Sequence, residues 1–120
     1  MNNLKFRAWD KKLKRLGDVS YIDFGNKKMI YHNGFVNYCS NFEDVVLMQS
    51  TGLFDKNGKE IFEGDVVSRF QRTVEEVVWN SKKGWWAIQT RGEIGLTVLA
   101  QFIEAVEIIG NIYENKELLG

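Results

Sequence analysis

The chain has 120 residues, a formal net charge of zero, one cysteine and no proline. This length is typical of one domain, or of one domain with a small subdomain, and it is enough to bury a core without disulfides. A single cysteine, Cys39, excludes an internal disulfide and fits a reducing compartment. The chain opens without an apolar signal segment, and no apolar run approaches the roughly 20 residues that span a bilayer. We therefore expect a soluble, cytoplasmic protein that has no membrane partner.

The neutral net charge conceals an uneven distribution. Residues 1–40 carry eight Lys or Arg and three Asp, a net +5, whereas residues 41–120 carry eight Lys or Arg and thirteen Asp or Glu, a net −5. The densest basic segment contains Lys11, Lys12, Lys14 and Arg15. It is interpreted as a solvated turn, as a nucleic-acid contact or as one side of a self-association in which opposite charges meet.

The first half of the chain has the patterns of several short strands. Leu4, Phe6 and Ala8 alternate with polar or amphipathic residues, which is the period of a strand with one buried face. A charged segment then ends at Gly17-Asp18, which we interpret as a turn. The next predicted strands are 19–24, 29–31, 35–38 and 45–49. Gly25-Asn26 and a two-residue Asn33-Gly34 turn separate the first three of them.

The second half begins with a predicted hairpin. Its tip is Asp55-Lys56-Asn57-Gly58-Lys59, and Gly64-Asp65 then turns the chain into Val66-Val67. The segments 74–79 and 85–89 predict another hairpin, 96–99 a further strand, and 100–105 a short helical turn. The apolar strand that starts at Val106 is predicted to bulge at Gly110, and 116–119 to form a last turn. About nine short strands with little helix indicate an all-β or β-dominated barrel.

No residue pattern indicates catalysis or a cofactor. Cys39 and His32 lack a third group that would orient a nucleophile pair, and one Cys with one His cannot build a structural zinc site. Glu60, Glu63 and Asp65 are better explained as structural residues than as metal ligands. We expect no enzyme, no metal and no cofactor. A hydrolase that uses carboxylates near Glu60 stays open, and it would need a concave pocket with a strongly perturbed carboxylate.

The tryptophans are the most informative candidates for a binding site. Trp85 and Trp86 are adjacent, so in a strand their side chains point to opposite faces, and Trp79 is expected to pair with one of them. Core packing, a protein interface and a base-stacking surface beside lysines all explain this set. The candidate interface residues are Trp9, Trp79, Trp85, Trp86, Lys11, Lys12, Lys14, Arg15, Lys82 and Lys83.

Three segments resemble one known family. Lys5-Phe6-Arg7-Ala8-Trp9-Asp10, the long block from Met48 to Val67, and Ile108-Ile109-Gly110-Asn111-Ile112-Tyr113-Glu114-Asn115 followed by Glu117-Leu118-Leu119 are similar, in order, to segments of YopX-family proteins. This family occurs mainly in tailed phages and prophages. Ser50, Phe54 and Lys116 depart from its pattern, but none of them is a turn glycine.

The resemblance implies a fold and no site residues. It implies a single YopX-like domain over 1–120, in which residues 48–120 form an SH3-like β-barrel and a β-rich part at 1–47 packs on it. It implies neither an established activity nor residues to transfer. We therefore expect a non-enzymatic phage or prophage accessory protein that binds a host or phage protein or forms a homo-oligomer. The alternative is a nucleic-acid-binding barrel that uses the basic N-terminal loop and the Trp hairpin.

Overall fold

The computed structural model describes residues 5–90 and 95–118, so Leu4 and Leu119 of the predicted elements lie outside the described part. The chain divides into two compact units, Met1–Ser50 and Thr51–Gly120. The sequence predicts the division after residue 47, three residues before the observed one, and both positions lie in the strand Val45–Phe54. Among the described residues there are eleven strands and three short 3₁₀ segments, which confirms the mainly β class. None of the described helices is long and apolar enough to cross a membrane.

The first unit is built from antiparallel strands in the order β4-β3-β2-β1-β5. Its elements are β1 (Phe6–Asp10), β2 (Arg15–Asp23), β3 (Lys28–Asn33), β4 (Val36–Asn41), the 3₁₀ segment η1 (Phe42–Asp44) and the first part of β5 (Val45–Phe54). Along each strand, every second side chain points towards the core. The buried cluster consists of Ala8, Met29, Tyr31 and Val45.

Gly17-Asp18 is not the turn that the sequence predicts. Both residues lie inside β2, where they pair with β1. A Cβ at Gly17 would lie 2.3 Å from Cδ2 of Tyr31, so glycine is required here because an aromatic ring covers the backbone. The hairpin predicted at Asn33-Gly34 is present but shifted by one residue. Asn33 pairs with Val36, which leaves Gly34 and Phe35 as the loop, with Gly34 at φ +64°.

The second unit contains an antiparallel sheet in the order β10-β9-β8-β7-β11. Its elements after β5 are β6 (Glu60–Phe62), β7 (Asp65–Arg69), β8 (Glu75–Asn80), β9 (Trp85–Thr90), β10 (Thr97–Val98), η2 (Leu99–Ala105), β11 (Val106–Asn111) and η3 (Lys116–Leu118). Strand β6 pairs with β5. The predicted helical turn at 100–105 is confirmed as η2, and the predicted bulge is confirmed by a register shift between Ile108 and Gly110.

The core of the second unit lies against this sheet. The fully buried members are Ile61, Val67, Val77, Ile88, Leu99 and Val106, and Trp86 and Phe102 pack against them. In the hydrogen-bonded order of the described residues, β10 and β11 are the two edges and are not paired with each other. The sheet is therefore open rather than closed into a barrel, although the all-β class is as predicted.

Candidate interaction surfaces

The basic loop between β1 and β2 is shaped by Asp10. Its Oδ1 accepts hydrogen bonds from the backbone N–H groups of Lys12 and Leu13, at 2.9 and 3.0 Å. Burial disfavours the charged carboxylate, but these bonds and one from the Tyr31 hydroxyl outweigh it, so the pKa of Asp10 is lowered. The loop therefore has a defined conformation that depends on an ionised Asp10.

Arg15 points inward rather than outward. Its guanidinium donates a hydrogen bond to the Tyr38 hydroxyl and lies 4.8 Å from the centre of the Tyr38 ring. The rings of Tyr38 and Tyr31 stack with their centroids 5.2 Å apart. Burial and the neighbouring Asp10 carboxylate raise the pKa of the Tyr31 hydroxyl. Arg15 thus forms part of a packed network of the first unit.

The remaining N-terminal candidates divide between surface and interior. Trp9 is buried, whereas Lys11, Lys12 and Lys14 are exposed. Lys12 also lies 3.6 Å from a carboxylate oxygen of Asp44. The basic loop therefore presents fewer free cations than its sequence indicates.

The Trp hairpin is formed by β8 and β9. Trp79 lies opposite Trp86, and their rings meet edge to face at 5.0 Å between centroids, so the predicted pairing of Trp79 is with Trp86. Trp86 packs against the core, whereas Trp79 and Trp85 are 47% and 40% exposed. Neighbouring residues of a strand face opposite sides, so Trp79 and Trp85 lie on different faces of the hairpin.

The tip of this hairpin brings two lysines close to the tryptophans along the chain. Lys82 and Lys83 are exposed, and their backbone N–H groups lie 3.2 and 3.3 Å from Oδ1 of Asn80. The structure thus places Trp79, Trp85, Trp86, Lys82 and Lys83 in one hairpin of the second unit. The other five candidates belong to the first unit.

Asp55 organises the hairpin tip of the second unit. Its Oδ1 accepts from the N–H groups of Asn57 and Lys59, both at 2.9 Å, and its Oδ2 accepts from Ile108 at 3.0 Å. Burial opposes the charge, but these three backbone bonds lower the pKa of the carboxyl. One carboxylate therefore closes the turn and ties it to β11.

A buried ion pair lies at the end of β7. Arg69 donates two parallel hydrogen bonds to Glu75, at 2.7 and 2.9 Å, and Glu75 is fully buried. The hydroxyls of Thr73 and Thr90 complete the shell of the carboxylate at 2.8 and 2.7 Å. Burial raises the pKa of Glu75, but the bonds from Arg69 and both threonines overcome that effect, and the pKa is lowered.

Directly after Arg69, the chain makes a strained turn. Phe70 and Gln71 have φ of 55° and 59°, and the N–H of Arg72 donates to the carbonyl of Arg69 at 3.0 Å. Two positive φ angles are the signature of a type I′ turn, which favours Asn and Gly. Phe and Gln adopt it at a cost of about 1 kcal/mol or more each. The Phe70 side chain is nevertheless 67% exposed.

Phe70 borders a groove along η2. The groove has a volume of about 730 Å³ and is lined by Phe70, Lys56 and residues 100–105 of η2. Backbone hydrogen bonds hold both sides of the groove. The N–H of Phe70 donates to the carbonyl of Ala105 at 3.3 Å, and the N–H of Lys56 donates to the carbonyl of Val106 at 2.9 Å. Phe102 is covered by the Arg69 guanidinium, 4.6 Å from its ring centre. The buried ion pair thereby supports the groove.

The acidic residues discussed for metal binding have structural contacts. Oδ2 of Asp65 accepts from the N–H of Phe62 at 2.8 Å, as the turn interpretation predicts. Over 5–90 and 95–118, no group of three or more His, Cys, Asp or Glu could hold a metal ion. Glu76 has a pKa raised by burial and by Glu63, but it does not line the groove along η2. His32 and Cys39 lie opposite Asn37 and Ile30 in the β3–β4 ladder.

The Phe70 groove was not predicted from the sequence. The segment Ser68-Arg69-Phe70-Gln71-Arg72 contains no Gly, Asn, Asp or Pro, so it lacks the usual signals of a turn. The Glu75-Glu76 pair, which follows this segment in the sequence, is the one local signal of the ion pair beside the groove. A carboxylate directly before Val77-Val78 in a strand is expected to be buried and therefore to need a charged partner.

Comparisons with known proteins place this fold in a family. The chain is similar to protein EF1440 from Enterococcus faecalis, whose crystal structure matches with a TM-score of 0.68 and 28% sequence identity over 100% of both chains. No curated protein has significant sequence similarity to the chain. The family model of the YopX protein matches residues 5–120, which includes all three segments that carry the resemblance. The chain belongs to the YopX family.

Proposed function

We propose that this chain is a non-enzymatic accessory protein of a phage or prophage that acts in the cytoplasm of its bacterial host by binding protein. The partner is a host or phage protein, or a second copy of the chain. The observation that carries the proposal is the exposed Phe70 on its strained turn beside the η2 groove.

The strain at Phe70 supports a binding role. Strained backbone persists where the surrounding structure holds it, and it concentrates at functional sites. Here the turn follows directly on Arg69, which Glu75 holds from a fully buried position. A large aromatic side chain held at the surface by such a turn gains nothing for the core. It is well suited to anchor a partner.

The groove also limits the chemistry of the partner. Its sides are mainly apolar, with Lys56 and Glu104 as its charged members. One positive and one negative side chain do not create the positive electrostatic potential that attracts a phosphate backbone. A protein segment with an apolar anchor side chain and polar flanks fits this lining better than a nucleic acid does.

A peptide selection tests the proposal. Peptides are selected from a random library on the purified chain, and their affinities are then compared between wild type and Phe70→Asn. Asn tolerates positive φ, so this variant is expected to gain about 0.5–1 kcal/mol of stability while it loses the anchor. Loss of a hot-spot aromatic is worth about 2 kcal/mol, so binding is expected to weaken about 30-fold.

Gln71→Asn is the matched control. It relieves the same kind of strain one residue further on and keeps Phe70. We expect it to gain similar stability and to bind the peptides as wild type does. Selected peptides that bind Phe70→Asn as tightly as wild type would contradict the proposal.

Nucleic-acid binding is the second candidate. It is favoured by the half-exposed Trp79 and by Lys82 and Lys83 at the tip of the same hairpin. Binding of this kind weakens steeply with added salt, because phosphate contacts release counterions. Fluorescence anisotropy with single-stranded and duplex oligonucleotides at low salt tests it. Absence of binding to both, in protein whose Trp79 is accessible to a soluble quencher, removes this candidate.

A further inference from the structure

Strand β4 is an edge of its sheet, and the outward direction of its backbone groups can be derived. Among the described residues, β3 is the only strand that pairs with it. The N–H of Phe42 donates to the carbonyl of Lys27 on the same ladder. Hydrogen-bonded pairs alternate along an antiparallel ladder, so Val36, Tyr38 and Ser40 also bond to β3. The N–H and C=O groups of Asn37, Cys39 and Asn41 therefore point away from the sheet.

This edge lacks the features that usually protect edge strands. Charged residues, proline, bulges and short length all discourage pairing with another chain. The edge strands β6 and β10 have three and two residues, and β11 contains a bulge. In contrast, β4 has six residues, no charged side chain, no proline and an unbroken register with β3.

We propose that β4 pairs antiparallel with β4 of a second copy, so that two sheets become one. A two-fold axis through Cys39 places Asn37 opposite the partner's Asn41, Cys39 opposite the partner's Cys39, and Asn41 opposite the partner's Asn37. Every outward-pointing residue is then used, which gives roughly six hydrogen bonds. The strand is complementary to itself in this register, as a two-fold interface requires.

The same register gives the most exposed aromatic residue a binding site. Phe35, at the β3–β4 turn, is fully exposed. With Cys39 on the axis, it lies opposite the partner's Glu43. Next to that position is a groove of about 500 Å³ lined by Asn26, Lys27, Asn41, Phe42 and Glu43. The Phe42 ring already meets the exposed Phe24 edge to face, with centroids 5.9 Å apart. Two copies therefore exchange Phe35 side chains reciprocally.

This inference names the partner for the self-association part of the proposed function, and it is independent of the Phe70 groove. Residues 1–50 carry eight Lys or Arg and five Asp or Glu, a net +3, so the two paired units repel weakly. Added salt screens that repulsion, and it is expected to leave dimerisation unchanged or to strengthen it. Pairing of the basic half with an acidic half would instead weaken with salt.

Sedimentation equilibrium and cross-linking test the proposal on the full chain. Cys39 is the only cysteine and is exposed, so a short bismaleimide that alkylates two thiols reports their proximity. We expect a concentration-dependent dimer and an efficient Cys39–Cys39 cross-link in wild type. Asn41→Pro removes one outward N–H, and its φ of −78° already suits proline. It is expected to weaken dimerisation by at least tenfold, as is Phe35→Asp.

Phe70→Asn is the control, because it removes an exposed aromatic side chain from the second unit and leaves the β4 edge and its groove intact. It is expected to dimerise as wild type does, and unchanged circular dichroism of all variants shows that they fold. A monomeric wild type overturns the proposal. A dimer unaffected by both Asn41→Pro and Phe35→Asp, or one that dissociates in salt, overturns it as well. In either case, peptide binding at Phe70 would remain to be judged on its own.

Discussion

Individual carboxylates hold much of the local structure of this protein. Asp10 shapes the basic loop, Asp55 closes a hairpin tip, and Glu75 anchors Arg69 beside the candidate groove. Each has a lowered pKa although burial disfavours its charge. A group whose pKa is depressed on folding stabilises the protein above its unfolded pKa, and this stabilisation is lost as the pH falls through the folded value.

Asp55→Asn tests this argument at one residue. Oδ1 and Oδ2 both accept backbone bonds, but an amide has one acceptor oxygen, so its NH₂ would face a backbone N–H. We expect the free energy of unfolding to fall by about 2–3 kcal/mol near neutral pH. The wild-type advantage should shrink once the pH falls below the ordinary Asp pKa of about 4, and it should be lost only as the pH passes through the lowered pKa of folded Asp55.

Urea unfolding between neutral and acidic pH measures this difference. Asp18→Asn, at an exposed position of β2, is the control and should change stability little. A constant difference between wild type and Asp55→Asn at every pH would contradict the role given to the charge.

At the scale of elements, the hairpin from Thr51 to Val67 depends on backbone geometry. Gly58 and Gly64 have φ of 81° and 86°, which L-residues with a Cβ rarely adopt. Gly58→Val is therefore expected to lower the free energy of unfolding by at least about 1–2 kcal/mol, with peptide affinity of the folded fraction unchanged.

Thermal unfolding and peptide titration of the same variant check this expectation. Gly95→Val is the control, because that position has open space and no positive φ. A Gly58→Val protein with wild-type stability that no longer binds would show that this hairpin acts in binding rather than in folding.

The elements also show what the sequence can and cannot predict. Alternating apolar residues and glycine turns located most strands, since both signals are local. Gly17 was misassigned because its requirement comes from the ring of Tyr31, which is distant in sequence. The Phe70 turn was missed because its two central residues, Phe70 and Gln71, are not usual turn formers, and the bond from the Arg69 N–H to Oγ1 of Thr73 is not visible in the sequence.

At the scale of the whole molecule, composition is a poor guide to the candidate binding surfaces. The basic segment at 11–15 was predicted as a candidate surface, yet Arg15 packs on Tyr38 and Lys12 lies beside Asp44. Two surfaces with stronger physical arguments, the Phe70 groove and the β4 edge, contain few charges. Exposure of single aromatic side chains depends on tertiary structure, and no residue count contains that information.

The most direct measurement is a map of peptide binding on the isotopically labelled chain. A peptide obtained by selection is titrated while the amide resonances are followed by NMR. The prediction is that the largest shifts occur along η2, Leu99–Ala105, and at Phe70, and that Phe70→Asn needs about 30-fold more peptide to show the η2 shifts. Shifts that instead centre on the Trp79–Trp86 hairpin, or that persist unchanged in Phe70→Asn, would contradict it.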